Sequence, residues 1–209
     1  FMIRRGAFDD VDAAMMVHPA DHDLRWMQTI AIHTMNVEYE GRAAHAAAAP
    51  HKGRNALDAA VLGYNNVAAL RQHIRPEERI HGVFTEAGDK PNIVPARAAA
   101  EWYVRSRNME SLEPLKERVI ACLDAGAQAA GCTMTHSWND PPFYDMVDNG
   151  PLLDLYCANA AEVGRVVHEP NPMSVVAGST DMGNVSYAVP AIHPMIKVAP
   201  TGCAIHTPD

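Results

Sequence analysis

The chain is poor in aromatic residues, which make up 6% of its 209 positions. It also has no apolar run near the ~20 residues that a membrane-spanning helix needs. Its four cysteines, Cys122, Cys132, Cys157 and Cys203, show no paired spacing. That excludes a disulfide frame and predicts free thiols in a reducing compartment, hence a cytoplasmic protein. Lys and Arg number 17 against 25 Asp and Glu, a balance of −8, and no basic cluster occurs. Nucleic acid and an anionic membrane surface are thereby excluded as partners. There is no HExxH, no CxxC and no GxSxG, so no local motif announces a metal or a serine nucleophile.

What is present fits a packed globular chain. Hydrophobic residues make up 48% and charged residues 20%, which excludes collagen, coiled coil and general disorder. The length allows one large domain or two small ones. Histidine occurs 11 times, a high share. Phe1 to Gly6 has neither the start nor the apolar core of a signal peptide, and Thr207-Pro208-Asp209 stops just after a histidine. The chain is expected to be cut at both ends.

Ala13 to Val17 reads as a buried strand whose carboxyl end carries His18-Pro19. Arg25 to Gly41, rich in Thr, Ile, Val and Tyr, predicts a second strand. A helix comes next over Asn55 to Ile74, with Leu57, Val61, Tyr64 and Ala68 on its apolar stripe and Pro76 beyond it. Arg79 to Glu86 and Arg97 to Arg107 predict strands; in the second, Ala100, Trp102 and Val104 alternate with Glu101, Tyr103 and Arg105. Ser111 is the expected N-cap of a helix to Ala130, with Leu112, Leu115, Val119 and Cys122 inward and Gly131 at its stop. Thr133 to Ser137 closes the series. The order strand, helix, strand, strand, helix, strand predicts a ferredoxin-like α+β sandwich over 25–137. Such a sheet leaves a face and an edge to cover, which predicts dimerisation.

After Asp140-Pro141-Pro142 the pattern changes. A helix over Asn149 to Gly164 (Leu152, Leu155, Tyr156 and Ala160 inward), a strand over Met173 to Ala177 and an apolar segment over Ala191 to Val198 suggest a parallel α/β layer. Residues 1–24 and 138–209 then form one discontinuous α/β domain with the sandwich inserted in it.

Five residues stand out as chemical candidates. His18 ends an apolar strand, where α/β sheets build sites. His45 sits in Gly41-Arg42-Ala43-Ala44-His45-Ala46-Ala47, among small residues that let a ligand approach its ring. Asn92 lies between Pro91 and Pro95 on a stiff loop, where one amide can aim two donors. Arg105, in mid-strand beside Tyr103, calls for a partner such as a carboxylate. His206 comes after the last apolar segment. Gly178 and Ser179, in Gly178-Ser179-Thr180-Asp181, read as a substrate loop, with Asp181 equally suited to cap the segment after it. His22, His33, His73, His81, His136, His168 and His193 read as surface or packing residues.

The stretches Gly41 to Ala60, Thr85 to Arg105 and Gly202 to Thr207 together resemble the zinc aminoacylase and amidohydrolase metallopeptidases. These include hippurate, auxin-conjugate and aminobenzoyl-glutamate hydrolases. Pro91-Asn92-Ile93-Val94-Pro95 and Gly178 to Gly183 resemble the aminobenzoyl-glutamate and dipeptidase-like branch. The resemblance implies an α/β catalytic domain carrying a ferredoxin-like lid, and hydrolysis of the amide in N-acyl amino acids, aminoacyl conjugates or dipeptides with a free carboxylate. It implies two divalent metal ions, zinc foremost, with manganese or cobalt as substitutes. His18 and His206 match metal ligands. His45 matches a lid histidine that stabilises the oxyanion in the partner subunit's site, and Asn92 and Arg105 match residues that hold the substrate carboxylate. The family's remaining ligands and its Glu-Glu pair have no match here, since Glu77-Glu78 precedes Arg79 in a turn. The chain is therefore expected to be the C-terminal portion of a member and inactive alone. The competing expectation is a non-catalytic dimerisation or ligand-binding module without a metal centre.

Overall fold

The computed structural model describes residues 2–171 and 178–203. In chain order the elements are β1 (Ala14–Met15), β2 (His18–Ala20), β3 (Ala31–Glu40), α1 (Ala56–Leu70), β4 (Arg79–Glu86), β5 (Arg97–Ser106), α2 (Met109–Ala129), β6 (Thr133–Trp138), α3 (Gly150–Glu162), α4 (Met182–Ser186), β7 (Ala191–Ile192) and β8 (Met195–Lys197). They divide into two compact units, Ile32–Pro142 and Phe1–Ala31 with Phe143–Asp209.

The first unit is a ferredoxin-like α+β sandwich. Its four-stranded sheet has the order β4-β5-β3-β6, with β4 antiparallel to β5 and β3 to β6. The alternation of β5 sorts its side chains as the sequence pattern requires. Ala98, Ala100, Trp102 and Val104 are buried on one face, while Ala99, Glu101, Tyr103 and Arg105 stay half-exposed on the other. Met35, Val37 and Tyr39 of β3 join the buried face. Leu112, Leu115, Val119 and Leu123 of α2 complete that core.

Both helices start on asparagine caps. The Asn55 carboxamide accepts from the Leu57 and Asp58 N–H groups. For α2 the N-cap is Asn108 and not Ser111, which stands three residues in. Asn108 Oδ1 accepts from Ser111 N at 3.0 Å and Ser111 Oγ accepts from Asn108 N at 3.3 Å, a reciprocal box that satisfies two orphan donors.

The apolar stripe expected for α1 is displaced. Its buried residues are Ala56, Ala59, Ala60, Gly63 and Val67, whereas Val61 and Tyr64 are exposed. The reason is close packing on α2. A Cβ on Gly126 would lie 2.4 Å from the Gly63 backbone nitrogen and 2.5 Å from the Ala59 carbonyl oxygen. The helices meet through their smallest residues, so the larger apolar ones turn outward.

The second unit contains two short parallel pairs, β1 with β7 and β2 with β8. The expected strand over residues 13–17 is broken. His18 opens β2 instead of closing β1, and Met15, Met16 and Val17 are 64%, 38% and 42% exposed. Among the described residues β1 has one neighbouring strand, so nothing covers this run. The single strand expected over Ala191–Val198 is likewise two, interrupted at His193-Pro194 where proline has no N–H to give a ladder. On α3, Leu153 is buried and Leu155 is 60% exposed, opposite to the expected stripe. Leu152, Tyr156 and Ala160 line an apolar groove of about 480 Å³ with Ala14, Ile192 and Ile196. The strand expected over Met173–Ala177 lies outside the described residues.

Gly126→Ala should lower the unfolding free energy by at least ~2 kcal/mol, although alanine favours a helix interior by about 1 kcal/mol. Urea unfolding measures it, and an unchanged or raised midpoint would show that α1 and α2 do not meet at this position.

Candidate functional site

In the sandwich, His45 and Asn92 are brought together by backbone pairing between their loops. The His45 loop leaves β3 at Gly41, where a Cβ would come within 2.1 Å of the Arg54 carbonyl oxygen, so only glycine fits. Arg42 and Arg54 then exchange N–H···O bonds of 2.8 and 2.9 Å and close the loop base. Ala46 N donates to the Asn92 carbonyl at 3.0 Å, and Val94 N to the Ala44 carbonyl at 3.0 Å. Both side chains are at least partly exposed.

The small residues around His45 do more than give room. The Ala47 and Ala48 N–H groups donate to His45 Nδ1 at 3.3 and 3.1 Å. An accepting Nδ1 carries no proton, so the neutral ring bears its proton on Nε2. The loop backbone therefore presents an N–H donor outward, the polarity an oxyanion requires.

Arg105 stands at the other end of β5, on the sheet face away from the helices. Eight residues of strand separate it from Arg97, about 26 Å at the usual rise. Arg97, at the end near Asn92, bridges two carboxylates, Glu38 and Glu86, each at 2.9 Å. Arg105 differs. Its Nε donates to His81 Nε2 at 3.2 Å, and its guanidinium lies 5.9 Å from the Tyr103 ring centre. Burial depresses the guanidinium pKa below its ordinary value. Burial, and then the Arg105 and Arg71 charges, also hold His81 below the usual histidine range. His81, expected as a surface or packing residue, is exposed on β4, faces Tyr103 across the β4–β5 register and stacks edge-on at 5.5 Å.

In the second unit His18 Nδ1 lies 2.8 Å from the Pro19 carbonyl oxygen. A carbonyl only accepts, so Nδ1 carries the proton and Nε2 keeps its lone pair, the state in which histidine ligates a metal. The His193 ring centre is 5.9 Å away. His193 is 1% exposed, and neither ring nitrogen has a hydrogen-bond partner among the described residues. Burial first, then the neighbouring His18, lowers its pKa, so it is a neutral ring. The sequence offered one signal for it, the repetition of the dipeptide His-Pro at 18–19 and 193–194. His33, by contrast, is a packing residue 4.6 Å from the Trp138 ring.

Ser179 Oγ donates to the Ile30 carbonyl at 2.8 Å, and the Gly178 carbonyl accepts from Ile30 N at 3.0 Å. Asp181 stands at the N-cap position of α4 without a side-chain capping bond. Asp21 accepts from Gly202 N at 2.8 Å, which lowers its pKa and anchors the chain just ahead of residue 204. His206 lies outside the described residues. Among the described residues no three His, Cys, Asp or Glu side chains converge as a metal cluster, and no helix is long and apolar enough to cross a membrane.

Residues 31–130 match the M20 peptidase dimerisation domain. The chain is 38% identical over 207 residues to the mouse Xaa-Arg dipeptidase, covering 99% of this chain and 48% of that protein. It is 28% identical over 261 residues to a p-aminobenzoyl-glutamate hydrolase subunit of Escherichia coli, covering 99% of this chain and 54% of that one. Among solved structures it superposes on an aminobenzoyl-glutamate utilization protein from Klebsiella pneumoniae with a TM-score of 0.78, at 23% identity over 94% of this chain and 53% of that one. A dinuclear metal-binding peptidase of Bacillus subtilis gives 0.66 at 15% identity, over 94% and 51%. The chain spans about half the length of the curated relatives it matches.

Nitrogen-15 NMR of the imidazoles should find His45 as the Nε2–H tautomer at neutral pH. A dominant Nδ1–H signal would show that the alanine N–H groups do not hold the ring.

Proposed function

We propose that the chain is part of an M20 peptidase and works within a longer metal-dependent amidohydrolase. The substrate class is an N-acyl amino acid, aminoacyl conjugate or dipeptide with a free carboxylate. The observation that carries the reading is the pair of histidines whose tautomers the backbone sets, His45 with its proton on Nε2 and His18 with its proton on Nδ1.

The His18 tautomer fits a metal ligand, and the buried imidazole of His193 beside it, without a hydrogen-bond partner among the described residues, adds a second nitrogen donor to its surroundings. His18 and His206 would hold the divalent ions, zinc foremost, with manganese or cobalt as substitutes. When bound, the metal polarises the amide carbonyl and makes water nucleophilic at neutral pH. The chain's own residues do the rest. His45 donates from Nε2 to the oxygen that gains charge as the amide is attacked, a contribution of ~3–4 kcal/mol for a well-placed donor. Asn92 and Arg105 hold the substrate carboxylate by amide and guanidinium N–H groups, and Gly178 and Ser179 line the substrate loop.

Strand geometry supports a dimer. A dipeptide extends only ~7 Å, whereas about 26 Å of strand separates Arg105 from the end of the sheet that carries His45 and Asn92. One lid cannot close both ends on one small substrate, so two subunits would share each site, with His45 and Asn92 of one subunit acting in trans beside Arg105 of the other. Of the two sheet edges, β4 and β6, the β4 edge carries the apolar surface suited to pairing. Tyr64 lies 6.0 Å from the Phe84 ring there, and Val61 is exposed one turn away on α1. An edge strand beside such apolar surface favours pairing with a second copy. The compartment expected for this reading is the cytoplasm.

In the full-length protein, His45→Ala should cut kcat by about 10²–10³-fold while bound metal, measured by elemental analysis, stays unchanged. Loss of metal would sink the oxyanion role, and no hydrolysis of any N-acyl amino acid or Xaa-Arg dipeptide by the wild type would sink the enzyme reading. Phe84→Glu should convert a dimer to a monomer in sedimentation; a wild-type monomer would remove the shared site.

A further inference from the structure

His193 is 1% exposed, and neither of its ring nitrogens has a hydrogen-bond partner among the described residues. A buried polar group left unbonded costs stability, so its retention calls for a reason. The backbone fixes its place. The Ile192 carbonyl accepts from Met16 N at 3.2 Å and the Pro194 carbonyl from His18 N at 2.9 Å, so residue 193 is held between two bonds to the neighbouring stretch. His18 and His193 each precede a proline, which restricts them toward extended backbone. Their ring centres stand 5.9 Å apart, with the rings tilted by 49°. Asp181, which makes no side-chain capping bond to α4, is close enough for its charge to act on His193. His33, also buried and without hydrogen bonds among the described residues, has different company. It lies 4.6 Å from the Trp138 ring, with Asp140 3.5 Å from its Nε2.

We propose that His193 is a nitrogen ligand of the divalent metal that His18 binds, so that each His-Pro dipeptide supplies one imidazole to the same ion. The proposal rests on His18 being a metal ligand.

The spacing suits this role. At a metal–nitrogen distance of about 2.0–2.1 Å, two imidazoles on one tetrahedral ion have ring centres roughly 5 Å apart. The observed 5.9 Å is within reach of a small rotation about the side-chain bonds. A neutral imidazole gives one lone pair to a metal and keeps one N–H, so ligation engages one nitrogen and leaves the other as a donor. The charge of Asp181 favours a cation near this ring. Two imidazoles do not complete a coordination shell. The other ligands would come from outside the described residues, in keeping with a chain that spans about half the length of its curated relatives.

The test uses the full-length protein, stripped with a chelator and titrated with zinc. Elemental analysis reads the zinc content, and competition with a metal indicator reads the affinity. His193→Leu, of similar size but without nitrogen, should raise the zinc Kd by more than about 100-fold, because removing a hydrogen bond to a ligand costs only about 10–100-fold. His193→Gln, which keeps a donor and an acceptor but ligates zinc poorly, should weaken binding as much. Without metal, His193→Leu should unfold at the wild-type temperature or above it, since an unbonded polar group is gone. Zinc should then raise its midpoint less than it raises that of the wild type. A zinc Kd within about 100-fold of the wild-type value in His193→Leu, or one restored by His193→Gln, would overturn the proposal. His18→Ala separates the two levels of the reading. If the wild type takes up no zinc, or His18→Ala leaves its affinity unaltered, the metal reading of His18 fails. If His18→Ala weakens zinc binding while His193→Leu does not, His18 stands and the ligand role of His193 falls. Should His193→Leu not fold, His193→Gln carries the same comparison.

Discussion

The close approach of α1 and α2 at Gly63 and Gly126 governs the sandwich. Two helices that meet through backbone and methyl groups can both lie on the same narrow four-stranded sheet. That leaves one face of β5 buried and the other half-exposed. The half-exposed face is where Tyr103, Arg105 and His81 stand, and the strand end beyond it is where the His45 and Asn92 loops meet. The same seam turns Val61 and Tyr64 outward, toward the β4 edge that the dimer reading uses. One packing choice thus separates core, chemistry and interface.

Within that frame, neighbours decide what each histidine can do. Imidazole is both donor and acceptor, and its tautomer is set by whichever nitrogen the protein engages first. Two alanine N–H groups make His45 a donor at Nε2, and the Pro19 carbonyl makes His18 an acceptor at Nε2. Arg105 requires His81 to accept. None of these roles comes from the residue type, and each comes from a backbone or cationic neighbour within about 3 Å.

The elements of the sandwich were legible in the sequence because β5 alternates cleanly and α2 carries a true leucine and valine stripe. The stripe of α1 was not, because periodicity weighs residues by hydrophobicity, whereas the helix buries its smallest residues for closeness. Cap identity on α2 escaped because Ser111 is a good cap by type but Asn108 sits where the backbone turns. In the second unit the short strands were overextended, since an apolar run does not reveal that β1 has one described neighbour or that Pro194 interrupts the ladder.

The sequence by itself determined the α/β class, the ferredoxin-like order and the candidates His18, His45, Asn92 and Arg105, because periodicity and local chemistry are properties of neighbours in the chain. It could not show that His81 and Arg105 share a bond, that His193 is buried beside His18, or that the His45 and Asn92 loops meet. Those pairs are 24, 175 and 47 positions apart, and only strand register and loop pairing bring such residues within reach.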